Sequence, residues 1–318
     1  MARTTFLDLI RMQWRTVPPV VHADLSGKTM MVIGSSGGLG LEAAKHLAKM
    51  GPAKLVLTAR DEARGTASVQ ELKRDTGYDA ELRLVDLAKL SSDCQVTPQL
   101  KMDLRLPVNY LSAVIVTLSF LPLLTDTANK YGVRPRIVQV VSDTGYWNVG
   151  FDDEVMHSGN VLRKLSEPSY CNPRVLRERY ALSKTLNSMF IKALNEHLPP
   201  TSPVICASVN PGYCISGLRR HLSSGVAGLM FTVMDALLAR TTEQGSRQIV
   251  FAAVGHADAE DSLKGAYISL DYAFTEESDY MCSAEGAKAQ KKLWNDTLDT
   301  VREVFPDLAS VVADYLTI

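Results

Sequence analysis

Short unbroken apolar runs alternate with stretches of helical period along most of the chain. Met30–Ile33 (M-M-V-I) is such a run, followed by glycines at 34, 37, 38 and 40 and then by Leu41–Met50 at helical spacing, stopped by Gly51-Pro52. Lys54–Thr58, Glu81–Val85, Arg136–Val141, Val204–Val209 and Gly265–Leu270 read as further strands. Glu62–Arg74, Val108–Leu124, Arg174–Leu198 and Thr241–Val254 read as the helices between them. Continuous apolar strands alternating with helices predict an α/β fold whose parallel sheet is covered on both faces. Phe6, Leu7, Leu9, Ile10, Met12 and Trp14 suggest a short amphipathic helix ending before Pro18-Pro19. Gly145–Pro173 reads as a long irregular loop of the kind that walls an active site. Leu222–Ala239 is apolar and helical, either a lid or a packing helix, and Gly286–Ile318 is a polar-faced helical tail.

One segment breaks the pattern. Leu100, Met102, Leu104 and Leu106 alternate with Lys101, Asp103 and Arg105, a half-exposed rhythm. A central parallel strand under helices would bury those three charges at several kcal/mol each. Leu100–Leu106 is therefore expected to lie as irregular chain near the surface, leaving the sheet without an ordinary strand there.

The candidate chemistry gathers at strand ends. A glycine turn between a buried strand and a helix lets backbone approach a phosphate, and free N–H groups with the helix dipole favour its charge; a dinucleotide pyrophosphate fits. Arg60 follows the second strand, where an acidic residue would hold a ribose 2′-OH and a basic one a 2′-phosphate. Ala59 offers no carboxylate, so Arg60 points to NADP(H). Tyr180 and Lys184 stand four apart on a predicted helix and share one face. A nearby ammonium stabilises a phenolate and makes tyrosine a better acid–base partner. Ser142, at a strand end 38 residues before Tyr180, can bond the same carbonyl oxygen, and Pro211-Gly212 begins 31 residues after it.

The spacing G-x-x-x-G-x-G from Gly34 to Gly40, the Ser142, Tyr180-x-x-x-Lys184 set and the P-G turn resemble the short-chain dehydrogenase/reductase family over residues 26 to 275. Ile33 stands where that family usually has Thr. The resemblance implies a Rossmann-type doubly wound parallel sheet in one domain (residues 26–318), preceded by a leader helix (residues 1–25). It implies that Gly34, Ser36, Gly38, Leu39 and Gly40 cradle the cofactor and that Asp86 meets the adenine. It makes Tyr180 the proton donor, Ser142 the polarising group and Asn109 a member of the proton relay. Lys184 would lower the Tyr180 pKa and hold the nicotinamide ribose, and Pro211, Gly212 and Ser216 would hold the carboxamide face. L-G-L-E-A-A-K-H-L and T-T-E-Q-G-S-R look most like retinol-dehydrogenase-like reductases, a type that fungal secondary metabolism contains. The family's N-A-G strand signature is absent from the 22 residues between Asp86 and Asn109.

Composition narrows the partners. A net charge of −1 without basic clusters gives no reason to expect nucleic acid. The six histidines lack metal-ligand spacing, and five widely spaced cysteines with no C-x-x-C read as free thiols of a reducing, cytoplasmic setting. No run of about 18 uninterrupted apolar residues predicts a membrane span; the leader helix either packs on the domain or makes a peripheral membrane contact. Two functions fit: an NADPH-dependent oxidoreductase acting on a carbonyl or alcohol of an apolar, polyketide-like small molecule, or a catalytically impaired relative serving as a binding or scaffold protein. The family resemblance also implies a homo-oligomer.

Overall fold

The computed structural model describes residues 6–89, 106–147, 150–215, 232, 234–269, 272–274 and 278–317. The chain starts with α1 (Phe6–Gln13) and continues through β1 (Thr29–Val32), α2 (Gly38–Ala48), β2 (Lys54–Ala59), α3 (Glu62–Thr76) and β3 (Glu81–Leu84). A π-helical turn (Pro107–Leu111) leads into α4 (Ser112–Tyr131), then β4 (Arg136–Val140), α5 (Asp153–Met156), α6 (Val161–Ser166), α7 (Pro173–His197) and β5 (Ile205–Asn210). The remainder is α8 (Thr242–Val254), β6 (Tyr267–Ser269), β7 (Ala273–Phe274), α9 (Ala284–Val304) and α10 (Pro306–Tyr315).

Among the described residues the strands form two hydrogen-bonded groups, β1-β2-β3 and β4-β5-β6-β7. Every pairing is parallel except β6 with β7. The register sets Met30 beside Leu55 and Val138 beside Ala207. Helix α8 packs against α2 on one side and against β4 and β5 on the other, which joins the two groups in one α/β unit. It begins with a full capping box, Thr241 accepting from the Gln244 N–H while the Gln244 side chain accepts from the Thr241 N–H.

The most apolar strands are the buried ones: β2 from Leu55 onward and all of β5. Strand β1 departs from the expectation of burial on both faces, since Met31 is 42% and Ile33 40% exposed. Among the described residues β1 pairs only with β2. The Leu100–Leu106 expectation falls mostly outside the described residues. Leu106 itself departs from it: it is helical, 4% exposed, and packs into the largest core cluster beside Tyr110 and Leu111.

The predicted loop Gly145–Pro173 contains two short helices, each started by a side-chain cap. Asp152 accepts from the Val155 N–H and Asn160 from the Arg163 N–H. The tail buries more than its polar character suggested: Leu293, Trp294, Leu298 and Val301 of α9 and Val312 of α10 join the core of α4 and α7. Among the described residues, 108–131 is the one helical stretch long and apolar enough to cross a membrane. Here it is a core helix, with Val114, Ile115, Leu118 and Leu121 packed in that same cluster. The four described cysteines, Cys171, Cys206, Cys214 and Cys282, are free thiols, and no metal-binding cluster occurs among the described residues.

Candidate active site

The groups singled out in the sequence collect at the carboxyl ends of β1 to β5, where open α/β sheets bind ligands. Between β1 and α2, Gly34 takes φ +80° and Gly38 φ +60°, a region side chains disfavour. The turn is stitched to β2: the Gly34 N–H donates to Thr58 Oγ1 (3.0 Å), the Ser35 N–H to the Thr58 carbonyl (3.1 Å), and the Thr58 N–H to Ser35 Oγ (2.8 Å). Gly40 allows a close crossing, for a Cβ there would stand 2.6 Å from the Gly34 carbonyl oxygen. Gly37 before α2 offers no side-chain cap, so the first-turn N–H groups at Gly38, Leu39 and Gly40 remain open to an anion.

Arg60 stands exposed just past β2 with no ion pair among the described residues. Its neighbour Asp61 is committed to capping α3, accepting from the Arg64 N–H at 2.9 Å. Among the described residues the cation is thus the unpaired group at this strand end. Asp86 behaves as a turn residue as well as a candidate contact: its Oδ1 accepts from the Ala88 N–H at 3.0 Å.

Helix α7 carries Tyr180 and Lys184, and its Pro173 start is capped by Asn172. Ser142, just past the end of β4, stands near enough to the Tyr180 hydroxyl to favour its ionised form. Lys184 donates to the Val140 carbonyl at 2.9 Å and lies 5.8 Å from the centre of the Tyr180 ring. Three of the predicted catalytic groups are therefore in one place. The electrostatics differ from the expectation that Lys184 lowers the phenol. Burial pushes Tyr180 above its ordinary value and the Asp143 carboxylate adds to this, with only Ser142 acting the other way. Burial also depresses Lys184 to about 8.

Asn109 lies in the π-helical turn, a local distortion that concentrates at functional sites. Its Nδ2 donates to Ser183 Oγ (3.2 Å) and its carbonyl accepts from Asn187 Nδ2 (2.9 Å). Among the described residues it thus reaches α7 through Ser183 and Asn187, not through Lys184. After β5, Gly212 takes φ +80° and its N–H donates to Asn210 Oδ1 at 3.0 Å, while Asn210 Nδ2 donates to Ser269 Oγ. Ser216 and residues 222–231 of the segment expected as a lid or a packing helix lie outside the described residues.

Asp143 escaped the sequence reading, although it adjoins Ser142. It is 7% exposed, accepts from Ser142 Oγ at 3.2 Å, and burial pushes its carboxyl up. Gln13 escaped too, its only signal being one amide at the end of an apolar helical stripe.

Residues 28–135 match the KR domain family. The short chain dehydrogenase sol3 of Alternaria solani is 31% identical over 77% of this chain and 90% of its own length. The short-chain dehydrogenase anuD of Penicillium roqueforti is 26% identical over 98% of this chain and 87% of its own. In fold, the chain is similar to an actinorhodin polyketide ketoreductase solved with NADPH, with a TM-score of 0.54 and 17% identity over 79% of this chain and 98% of the other. Glycine turn, strand-end serine and the tyrosine–lysine helix thus sit in a Rossmann-type α/β fold, and the named relatives are of an oxidoreductase class. The chain belongs to the short-chain dehydrogenase/reductase family.

Proposed function

We propose that this protein is an NADPH-dependent oxidoreductase that interconverts a carbonyl and an alcohol on an apolar, polyketide-like small molecule of secondary metabolism. The observation that carries the reading is the gathering of Ser142, Tyr180 and Lys184 at the end of β4, in the same α/β unit as an open glycine turn at the end of β1. The residues present fit the cofactor. Positive-φ glycines and a crossing at Gly40 that a Cβ would block give phosphate room, and Arg60 offers an exposed fork for a 2′-phosphate. When bound, the nicotinamide supplies or accepts the hydride.

The chain's own residues handle the rest. Tyr180 gives a proton to the carbonyl oxygen during reduction, and its raised pKa keeps the phenol protonated at neutral pH. Ser142 orients that oxygen by a hydrogen bond. Lys184, on the same face of α7, holds a cation near the phenol and the ribose. Support for NADPH comes from Arg60 and from the cofactor named for the actinorhodin ketoreductase; support for the substrate class comes from that same neighbour. A fluorescence titration with NADPH and NADH tests the reading first. Tighter NADPH binding, abolished by Arg60→Glu, is expected; equal affinity for the two cofactors would overturn it.

A further inference from the structure

The leader helix ends in a side chain that is entirely consumed by the loops below it. Gln13 is 5% exposed. Its Nε2 donates to the Tyr213 carbonyl (2.9 Å) and to the Leu238 carbonyl (2.8 Å), and its Oε1 accepts from the Tyr213 N–H (3.1 Å). One amide thus satisfies both polar backbone groups of Tyr213 and ties them to chain 25 residues further on. Arg240 completes the joint: its N–H donates to the same Tyr213 carbonyl, and its Nη2 donates to the Met12 and Arg15 carbonyls at 3.1 and 3.4 Å. Trp14 Nε1 donates to the Leu237 carbonyl at 3.1 Å. Five backbone carbonyls from three separate stretches are held by three leader and neck side chains.

Tyr213 directly follows Pro211-Gly212. The other side of that turn is fixed by Asn210, whose Oδ1 accepts from the Gly212 N–H. Its floor is Gly245 at the start of α8, where a Cβ would meet Cys214 Sγ at 2.3 Å, Leu39 at 2.9 Å and the Pro211 carbonyl at 3.4 Å. Leu39 belongs to the first turn of α2, so the phosphate turn and the Pro211–Cys214 turn press on one point. Past Gly212, which has φ +80°, the Arg240 backbone ties the turn through the Tyr213 carbonyl and the Ile215 N–H. Gln13 adds the partner of the Tyr213 N–H and a second donor to its carbonyl.

We infer that Gln13 is a positioning residue for the nicotinamide half of the cofactor, making the amino-terminal leader part of the cofactor site. This rests on the proposed NADPH reading. None of Gln13's hydrogen bonds goes to Arg60 or Asp86, which would hold the adenosine half. The test is to measure dissociation constants of NADPH and of adenosine 2′,5′-bisphosphate, which lacks the nicotinamide, for wild type and Gln13→Met. The expected result is NADPH weakened by about tenfold or more, with adenosine 2′,5′-bisphosphate within about twofold of wild type. Unchanged NADPH binding overturns the inference. So does an equal loss for both ligands, which would make Gln13 a support of the whole fold. If wild type binds neither ligand, the cofactor reading fails and takes this one with it. Should Gln13→Met not yield folded protein, Gln13→Asn carries the same comparison, keeping the amide on a stem one methylene shorter.

Discussion

Gly40→Ala separates the backbone crossing at the nucleotide turn from ordinary helix energetics. An added Cβ would stand 2.6 Å from the Gly34 oxygen, 3.1 Å from its carbonyl carbon and 3.2 Å from Ser35 Cα, all backbone atoms that no rotamer change can move. The alanine gains roughly 1 kcal/mol of helix propensity. The overlap costs about 1 to 3 kcal/mol, so the net effect on stability is a loss of about 0 to 2 kcal/mol. Binding should suffer more. Relieving the overlap moves the glycine turn off the α2 N-terminus, and each lost N–H bond to a charged phosphate costs about 1.5 to 3 kcal/mol. One such bond raises the NADPH dissociation constant by about 10- to 150-fold. The control is Gly77→Ala at the C-terminal cap of α3, where φ is +75° and nothing lies within 4 Å. There the left-handed backbone alone costs about 1 to 2 kcal/mol, with no change in NADPH affinity. Urea unfolding and fluorescence titration of the three proteins make the comparison. A Gly40→Ala protein that binds NADPH like wild type would refute the crossing as the reason for glycine.

Three further outcomes are expected. Arg60→Glu should reverse the cofactor preference, because a carboxylate suits a ribose 2′-OH and repels a 2′-phosphate; dissociation constants for both cofactors decide it, and a retained NADPH preference would sink the assignment. Tyr180→Phe should cut turnover by about 10² to 10⁴-fold while leaving NADPH affinity nearly unchanged, as steady-state kinetics beside titration will show. For pH, Lys184 is depressed from 10.5 to about 8 by burial, so its ammonium is lost as pH climbs through that value. The kcat/KM for NADPH should be level below about 8 and fall about tenfold per pH unit above it. A level profile through pH 10 would count against a role for the ammonium. The same depression means the unfolded chain holds this proton longer, so the group's share of stability rises as pH climbs from about 8 towards 10.5.

Much of this arrangement is legible in the sequence because the signals are local. Lys54–Ala59 and Ile205–Asn210 announce themselves as apolar runs, and both are buried strands. Gly34 to Gly40 shows its turn by spacing alone. Tyr180 and Lys184 share a helix face by their four-residue interval. What escaped is what depends on distant partners. The apolar run at Met30–Ile33 says that the strand suits a covered position, yet not which strand covers its edge, and Met31 and Ile33 are substantially exposed. Asp152 and Asn160 are cap residues inside a Gly- and Ser-rich stretch, so their four- and six-residue helices look like loop. Trp294 and Leu298 do show a one-turn spacing, but only the fold reveals that α4 and α7 lie beneath them. Gln13 is legible only through Tyr213, 200 positions away.

The environment of the tyrosine also bears on which direction the chemistry runs most readily. Reduction needs Tyr180 as the phenol, the form that can give up a proton; oxidation of an alcohol needs the phenolate, the form that can take one. In this site burial favours the neutral phenol, and the Asp143 carboxylate one residue from Ser142 penalises the phenolate again. Ser142 cannot offset both. It also donates to Asp143 Oδ1 at 3.2 Å, so its single proton is divided between that carboxyl and a phenolate. Lys184 is oriented to the Val140 carbonyl, and its own charge weakens above about 8. On the proposed roles, a pair with the acid held up and its cation held down favours proton donation at neutral pH. Removing the carboxylate should shift that balance: Asp143→Asn would raise alcohol oxidation relative to carbonyl reduction at a fixed pH near 8, and its pH profile for oxidation would move to lower pH. If the ratio of the two rates and the profile are the same in wild type and Asp143→Asn, Asp143 plays no part in setting the tyrosine.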